Sequence, residues 1–132
     1  MKQLSMLSLL FVLFFTTSCK KEYITQTIPN TTVVTTIIPA DWQYSSGDGT
    51  YNAAIPMPEI DQVVFDNDGV VVSAMFDGIN YEGLPQVYDG YTYTYFYKPG
   101  YLTISIQAAN GGPGGRPTGN IRFKIVLIPS GQ

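Results

Sequence analysis

The sequence lacks histidine and has a single cysteine among its 132 residues. Without these side chains, Ser/His/Asp and Cys/His nucleophilic sites and the usual His/Cys zinc cages are excluded. Positive charge is also scarce, since seven Lys and Arg stand against ten Asp and Glu, for a net charge of −3. Proteins that bind a phosphate backbone normally carry a basic surplus, so we expect no nucleic-acid partner. We also expect no enzyme activity and no cofactor.

A long hydrophobic run is missing as well. The apolar stretch from residue 9 to residue 15 has seven residues, whereas a membrane-spanning helix needs roughly 20. Lys2 precedes this stretch and small residues follow it at positions 16 to 18, which is the pattern of a secretory signal peptide. The short run therefore favours a cleaved leader over a transmembrane helix.

The only cysteine, Cys19, lies directly after the leader and before Lys-Lys-Glu. This junction resembles bacterial lipoprotein signals, although Thr16 stands where the common pattern has Leu. The resemblance implies cleavage after Ser18 and lipid on Cys19, and several acyl chains together make membrane attachment stable. An unpaired thiol is the alternative interpretation of Cys19. We expect a protein anchored in the cell envelope at the outer membrane, facing the periplasm or the cell surface, with the membrane as its partner.

Leader and anchor divide the chain into three segments. We expect a signal peptide at 1–18, the lipidated cysteine with a Thr-rich tether at 19–38, and one globular module at 39–132. Fully extended, the part of the tether after Cys19 reaches at most about 60 Å. A structural alternative exists for its end, because the segment from Thr31 to Ile38 has high β-propensity and could add an edge strand to the module.

Leucine is rare after the leader, where Leu84, Leu102 and Leu127 are the only ones. Ile, Val, Thr and Tyr prevail, which favours strands, and turn signals rich in Gly, Asp, Asn and Pro recur at short intervals. This punctuation is typical of a sandwich or small barrel. We expect an all-β fold, a small antiparallel β-sandwich of about six to eight strands with one short helical turn. The predicted strands are 41–46, 50–56, 70–76, 91–98, 101–108 and 120–128, with a weaker one at 81–87.

The segment 58–66 departs from the strand pattern. It begins with proline and an acid, and the i, i+3, i+4 spacing of Ile60, Val63 and Val64 predicts one or two helical turns. A strand that closes a hairpin through residues 66–69 is the rival assignment.

The segment 91–97 places four tyrosines on one face of a strand, namely Tyr91, Tyr93, Tyr95 and Tyr97. If exposed, these rings would form a platform for stacking sugars. The Lys-Pro-Gly-Tyr sequence that follows predicts a tight turn, whose register places the tyrosines opposite Leu102, Ile104 and Ile106. The tyrosine face is therefore expected to be buried, although a one-residue bulge at Gly100 would reverse the two faces.

Asp66 and Asp68 are weak candidates for a calcium site, because they begin an acid-rich loop that ends in Gly69. An EF-hand is rejected, since the required Glu is missing after that glycine. A solvated turn or a helix C-cap explains the two aspartates better. Together with Glu59 and Asp61 they could form a general acid/base pair, but nothing in the spacing indicates two carboxylates that flank a cleft.

Two further motifs have structural explanations. The Gly-Gly-Pro-Gly-Gly-Arg segment at 111–116 lacks the Lys-Ser/Thr ending of a phosphate-binding loop and is followed by a strand pattern, which favours a flexible connection. Trp42 and Tyr44 share one strand face and could stack on a sugar. An early Trp in a small sandwich is more often a core anchor.

The last strand is the clearest prediction, because Ile121, Phe123, Ile125 and Leu127 point one way and basic residues the other. The run from Phe123 to Gly131 resembles the end of the globular module in small Bacteroidota lipoproteins, and Trp42, Val70-Val71-Val72 and Leu84-Pro85 fit the same group. The resemblance covers residues 39–131. Some of these lipoproteins carry collagen-like repeats where this chain has its Thr-rich tether, and the resemblance assigns no activity to any residue.

These features together predict a lipid-anchored protein of the cell envelope with a non-catalytic structural or interaction role and an unidentified protein or polysaccharide partner. The alternative is a surface carbohydrate-binding module that uses the aromatic side chains of Trp42, Tyr44 or the 91–97 segment.

Overall fold

The computed structural model describes residues 28–131, so the predicted leader, Cys19 and the first part of the tether lie outside the described residues. A 3₁₀ turn at Pro39–Asp41 and a short helix, α1, at Gln62–Asn67 accompany the strands. The strands are β1 Thr31–Ile37, β2 Gln43–Ser45, β3 Thr50–Met57, β4 Gly69–Met75, β5 Glu82–Gly83, β6 Gln86–Tyr88, β7 Tyr91–Lys98, β8 Gly100–Ala108 and β9 Ile121–Ile128.

The strands form two antiparallel sheets, which confirms the predicted all-β fold. One sheet has four strands in the order β1-β9-β4-β5, and the other has five in the order β2-β3-β8-β7-β6. The described residues thus contain nine strands instead of about six to eight, and the surplus comes from short edge segments. The connection from β8 to β9, residues 109–120, takes the chain from the five-stranded to the four-stranded sheet.

The core lies between the two sheets and follows from side-chain alternation along the strands. On β9, Phe123 and Ile125 are fully buried, whereas Arg122 is exposed and Lys124 is half-buried, as expected for basic residues on the outward face. Leu102 and Ile104 on β8 are equally buried in the opposite sheet. Each large aliphatic or aromatic side chain removed from water in this way contributes about 1.5–3 kcal/mol.

The predicted hairpin register is confirmed. In the pairing of β7 with β8, Lys98 lies opposite Tyr101, Tyr97 opposite Leu102 and Tyr95 opposite Ile104. Gly100 has φ of +88°, a conformation that suits glycine at a tight turn. Without a bulge the tyrosines lie on the same face as the buried aliphatic residues of β8.

The expected module boundary at residue 39 is wrong, because the sheet already begins with β1 at Thr31–Ile37. All seven residues of β1 pair with β9, from Thr31 opposite Leu127 to Ile37 opposite Ile121. The alternative of an edge strand is therefore the one that the structure adopts. Its physical basis is the β-branched composition, together with inward-facing side chains at Val33 and Ile37 that extend the core.

The weaker strand predicted at 81–87 is two strands in different sheets. β5 pairs with β4, whereas β6 pairs with β7, and Leu84-Pro85 lies between them. Proline has no N–H to donate to a ladder, so a continuous strand is interrupted there. Leu84 is buried where the chain passes from one sheet to the other.

The helix predicted at 58–66 exists, but it begins later, at Gln62. The residue that caps it is Asp61, whose carboxylate accepts a hydrogen bond of 2.8 Å from the Val64 N–H. Ile60 is buried but precedes the helix, Val64 packs against the core, and Val63 is 65% exposed, so only part of the predicted apolar face forms. The cap, and not hydrophobic spacing, determines where the helix starts.

Candidate functional site

Within residues 28–131, a cleft of about 450 Å³ lies at one end of the sandwich, and we call it the end cleft. Three segments form it: the end of β4 with Phe76, the turn between β6 and β7, and the β8–β9 connection from residue 115 to residue 120. This volume lies within the range of small-molecule sites, roughly 300–1,000 Å³.

One wall of the end cleft is a cluster of aromatic rings. The Phe76 and Tyr88 rings stack with centroids 4.5 Å apart and planes 8° apart. Tyr93 meets the same Phe76 ring edge-on at 4.7 Å and 62°. Tyr93 is 5% exposed and Tyr88 40% exposed, so Tyr93 supports the cluster and Tyr88 presents it to solvent.

The turn Asp89-Gly90 positions Tyr88 beside Tyr91. Both turn residues have positive φ, 51° and 79°, as a two-residue hairpin turn requires, and Tyr88 pairs directly with Tyr91 across the hairpin. Since directly opposed residues lie on the same face, both rings belong to the inner face of the five-stranded sheet at its end.

The β8–β9 connection closes the end of the sandwich, and two of its glycines allow its backbone to lie close to the strands. The Gly114 N–H donates a 2.7 Å hydrogen bond to the Gly49 carbonyl. A Cβ on Gly114 would overlap the Ile106 carbonyl oxygen, and one on Gly115 would lie 2.6 Å from the Tyr91 hydroxyl. The segment is a connection without regular structure, as expected, and glycine allows its backbone to pack directly against the strands.

A second aromatic group lies on the far side of this connection. The Tyr44 and Tyr51 ring centroids are 5.2 Å apart, and the Arg116 guanidinium carbon is 5.7 Å from the centre of the Tyr51 ring. Tyr44 is 52% exposed. Arg116 also lines the end cleft and therefore belongs to the surroundings of both aromatic groups.

The end cleft combines these rings with one acid and one base, Asp89 and Arg116. Burial, followed by the Asp89 carboxylate and the neighbouring tyrosines, raises the pKa of Tyr93 to about 12. The Tyr93 hydroxyl is neutral at physiological pH, as in an ordinary tyrosine, and the raised pKa extends its neutral range upward. Ring faces, a guanidinium, a carboxylate and hydroxyls together suit the binding of a polar ligand that has apolar faces.

The predicted tyrosine stripe does not form a flat exposed platform. Tyr93 is buried, and the Tyr95 hydroxyl donates a 2.7 Å hydrogen bond to the Val70 carbonyl in the opposite sheet. Tyr97 contacts the Phe65 ring of α1 edge-on, with centroids 6.0 Å apart. Among the four stripe residues, Tyr91 and Tyr93 line the end cleft.

Trp42 is fully buried, which agrees with its interpretation as a core anchor. Its ring meets Phe123 in an edge arrangement with centroids 6.4 Å apart. Its Nε1–H has no acceptor within the described residues. Of the predicted pair, only Tyr44 has a ring that solvent can reach to a large extent.

Asp66 and Asp68 are occupied by protein donors instead of converging on a cation. The Asp66 carboxylate accepts from Gln62 Nε2 at 3.0 Å, and Asp68 accepts from the Ser130 N–H at 3.1 Å. Asp68 is also the C-cap residue of α1. Residues 28–131 contain no group of three or more acidic, His or Cys side chains arranged to hold a metal.

Sequence reasoning missed Phe76, Tyr88 and Arg116 as members of the end cleft. A signal for Tyr88 was present, because Asp-Gly is a strong hairpin signal and predicts that Tyr88 and Tyr91 face each other. No local pattern points to Phe76 or Arg116, which reach the cleft from the other sheet and from a loop.

Comparison with protein-family models, curated proteins and solved structures finds no match for this chain. Between residues 28 and 131, no helix has the length and apolarity needed to cross a membrane.

Proposed function

We propose that the chain is a lipid-anchored protein of the bacterial cell envelope, with a non-catalytic interaction role carried by the sandwich. The observation that supports the interaction role is the end cleft, where the exposed Tyr88 ring lies beside Asp89 and Arg116. These groups can stack and hydrogen-bond with a ligand, which is what a binding module requires.

The anchor is supported by the leader and by the position of Cys19. The resemblance to Bacteroidota lipoproteins belongs to the same proposal, as does the outer-membrane location. Because the sheet begins at Thr31, residues 20–30 remain as the tether. They span at most about 35–40 Å when extended. This length lets the sandwich stand outside the membrane and limits its distance from the membrane surface.

Detergent phase partitioning of cells that express the full chain tests this proposal. We expect the wild-type protein in the detergent phase, with its leader removed. The Cys19→Ala variant has no acceptor for the lipid, so we expect it to keep its leader and to be held in the membrane by that leader alone. The presence or absence of the leader is therefore the second measurement. A wild-type chain that retains residues 1–18 contradicts the proposal, and so does a wild-type chain found in the aqueous phase.

A carbohydrate ligand is the second candidate function, favoured by the two aromatic groups on either side of Arg116. Sugars present C–H faces that pack on rings and hydroxyls that bond to charged and amide side chains. The end cleft offers both kinds of contact within one concave site.

A pull-down of the detergent-extracted full chain with a broad panel of insoluble polysaccharides tests this candidate. Tyr88→Ala should abolish binding because it removes the exposed ring. Val87→Ala is the matched control, since Val87 is the adjacent residue on β6 and is 54% exposed on the opposite face. Absence of binding to every polysaccharide, or equal binding by the two variants, contradicts a sugar site in the cleft.

A further inference from the structure

The four edges of the two sheets differ greatly in length. β5, β2 and β6 have two or three residues each, whereas β1 has seven. β3 extends past β2 without a neighbour, but Pro56 interrupts its hydrogen-bonding edge. β7 likewise extends past β6 over residues 94–98, and β5 covers only two residues of β4. With seven residues and no proline, β1 is the longest uninterrupted strand edge that the described sandwich leaves open.

β1 also lacks the usual protection of an edge strand. Such strands are normally guarded by Lys, Pro, a bulge or a short length. The sequence Thr-Thr-Val-Val-Thr-Thr-Ile has no charge and no proline, and its pairing with β9 is continuous over all seven residues. Val34 is 53% exposed at the centre of the strand.

We propose that the outer edge of β1 pairs with β1 of a second copy of this chain, which joins two four-stranded sheets into one. The edge is uncharged, so two copies meet there without like-charge repulsion despite the net charge of −3 of each chain. An isologous pair is antiparallel about a two-fold axis perpendicular to the sheet. The interface is then the open ladder itself, with about six new backbone hydrogen bonds.

The residue pattern of β1 fits a two-fold axis at Val34. Antiparallel pairing about this residue places Val34 opposite Val34 of the second copy and Thr32 opposite Thr36 of the second copy. It also keeps the inward-facing Val33 opposite another inward-facing residue, Thr35 of the second copy, so both cores stay on the same side. Cross-strand Val–Val and Thr–Thr pairs are favourable.

The positions of the N-terminal ends of β1 are compatible with anchoring both copies of this dimer in one membrane. In an antiparallel pair the two N-terminal ends of β1 lie at opposite ends of the ladder, about 20–25 Å apart. Residues 20–30 of each copy reach at most about 35–40 Å, so both chains can enter one membrane below the joined sheet. This step rests on the proposed anchor, and confinement to one membrane would raise the effective concentration of the edge.

The test uses full-length chains extracted in mild detergent and analysed by sedimentation. We expect the wild-type protein to be a dimer and Val34→Lys to be a monomer, because lysines would face each other at the axis. Val71→Lys is the matched control: Val71 is 46% exposed on the outer face of the same sheet, but β9 lies between β4 and the β1 edge. This control should remain a dimer, and a cooperative melting transition in each variant would show that both fold.

Cysteine cross-linking in intact cells tests the register. Cα atoms of directly opposed residues lie about 4.5–5.5 Å apart, within disulfide range. Val34→Cys should therefore give a disulfide-linked dimer on oxidation, whereas Val71→Cys should not. A monomeric wild-type protein, or a Val34→Lys variant that still dimerises, overturns the proposal. If the wild-type chain cross-links through Cys19, the anchor fails, but the comparison of the lysine variants still decides the edge pairing.

Discussion

Replacement of Tyr93 by alanine separates a core tyrosine from a binding platform. The Tyr93 side chain is 5% exposed and packs edge-on against Phe76 at 4.7 Å. Truncation of a buried aromatic residue to alanine costs about 3–5 kcal/mol, from lost transfer free energy and the cavity that remains. Because Tyr93 also lines the end cleft, we expect the lower part of this range, about 3 kcal/mol.

Thermal unfolding followed by circular dichroism measures this loss. For a domain of this size a change of 1 kcal/mol moves Tm by about 4–8 °C, so Tyr93→Ala should lower Tm by more than about 10 °C. Tyr88→Ala is the control from the same cluster. Its ring is 40% exposed, and we expect it to lose mainly the stacked pair with Phe76, about 1 kcal/mol. Equal Tm values for the two variants would refute the assignment of Tyr93 to the core.

Three further variants or conditions test other contacts. Gly114→Ala should cost about 1–3 kcal/mol in urea unfolding, because its Cβ would overlap a backbone carbonyl of β8, whereas Gly119→Ala in the same loop should be neutral since its Cβ meets nothing within 4 Å. Tyr95→Phe should cost about 1 kcal/mol by the same assay, since it leaves the Val70 carbonyl without its 2.7 Å partner; an unchanged midpoint would contradict that bond. The pKa of Tyr93 is raised from 10.0 to about 12, so its contribution to stability is complete below pH 10 and is lost as pH rises through 12. We expect a loss of about 1–2 kcal/mol across this window after allowance for solvent screening, and Tyr93→Phe should remove it.

The fold was predictable wherever a local turn determines the register. Lys-Pro-Gly-Tyr places a two-residue turn between β7 and β8, and every pair of the hairpin follows from it. The buried face of β9 was predictable from alternation alone. Because the side-chain period of a strand is two, only one arrangement puts the apolar residues of β9 inside.

The errors arose where tertiary contacts outweigh local pattern. The Thr-rich composition of β1 is compatible with a tether as well as with a strand, and the ladder to β9 with the inward-facing Val33 and Ile37 selects the strand. In the helix segment, capping by Asp61 determines the start, and Val63 faces solvent although Ile60 and Val64 of the same predicted pattern pack on the core. The strand at 81–87 was divided by Pro85, whose missing N–H prevents a continuous ladder.

The candidate site was predictable only in part, because its members come from both sheets and a loop. Tyr91 and Tyr93 could be named from the stripe, and the Asp89-Gly90 turn pointed to Tyr88. Phe76 follows a strand of the other sheet and Arg116 lies in the β8–β9 connection. The tertiary fold places both beside the tyrosines, and no short-range sequence pattern predicts that proximity.

The central claim, a sandwich held to the envelope through Cys19, is tested most directly by the intact mass of the protein purified from detergent-extracted membranes. The account predicts a chain that starts at Cys19 and carries the added mass of a thioether-linked diacylglycerol and an N-terminal acyl chain. A chain that keeps residues 1–18, or an unmodified thiol at Cys19, would contradict it.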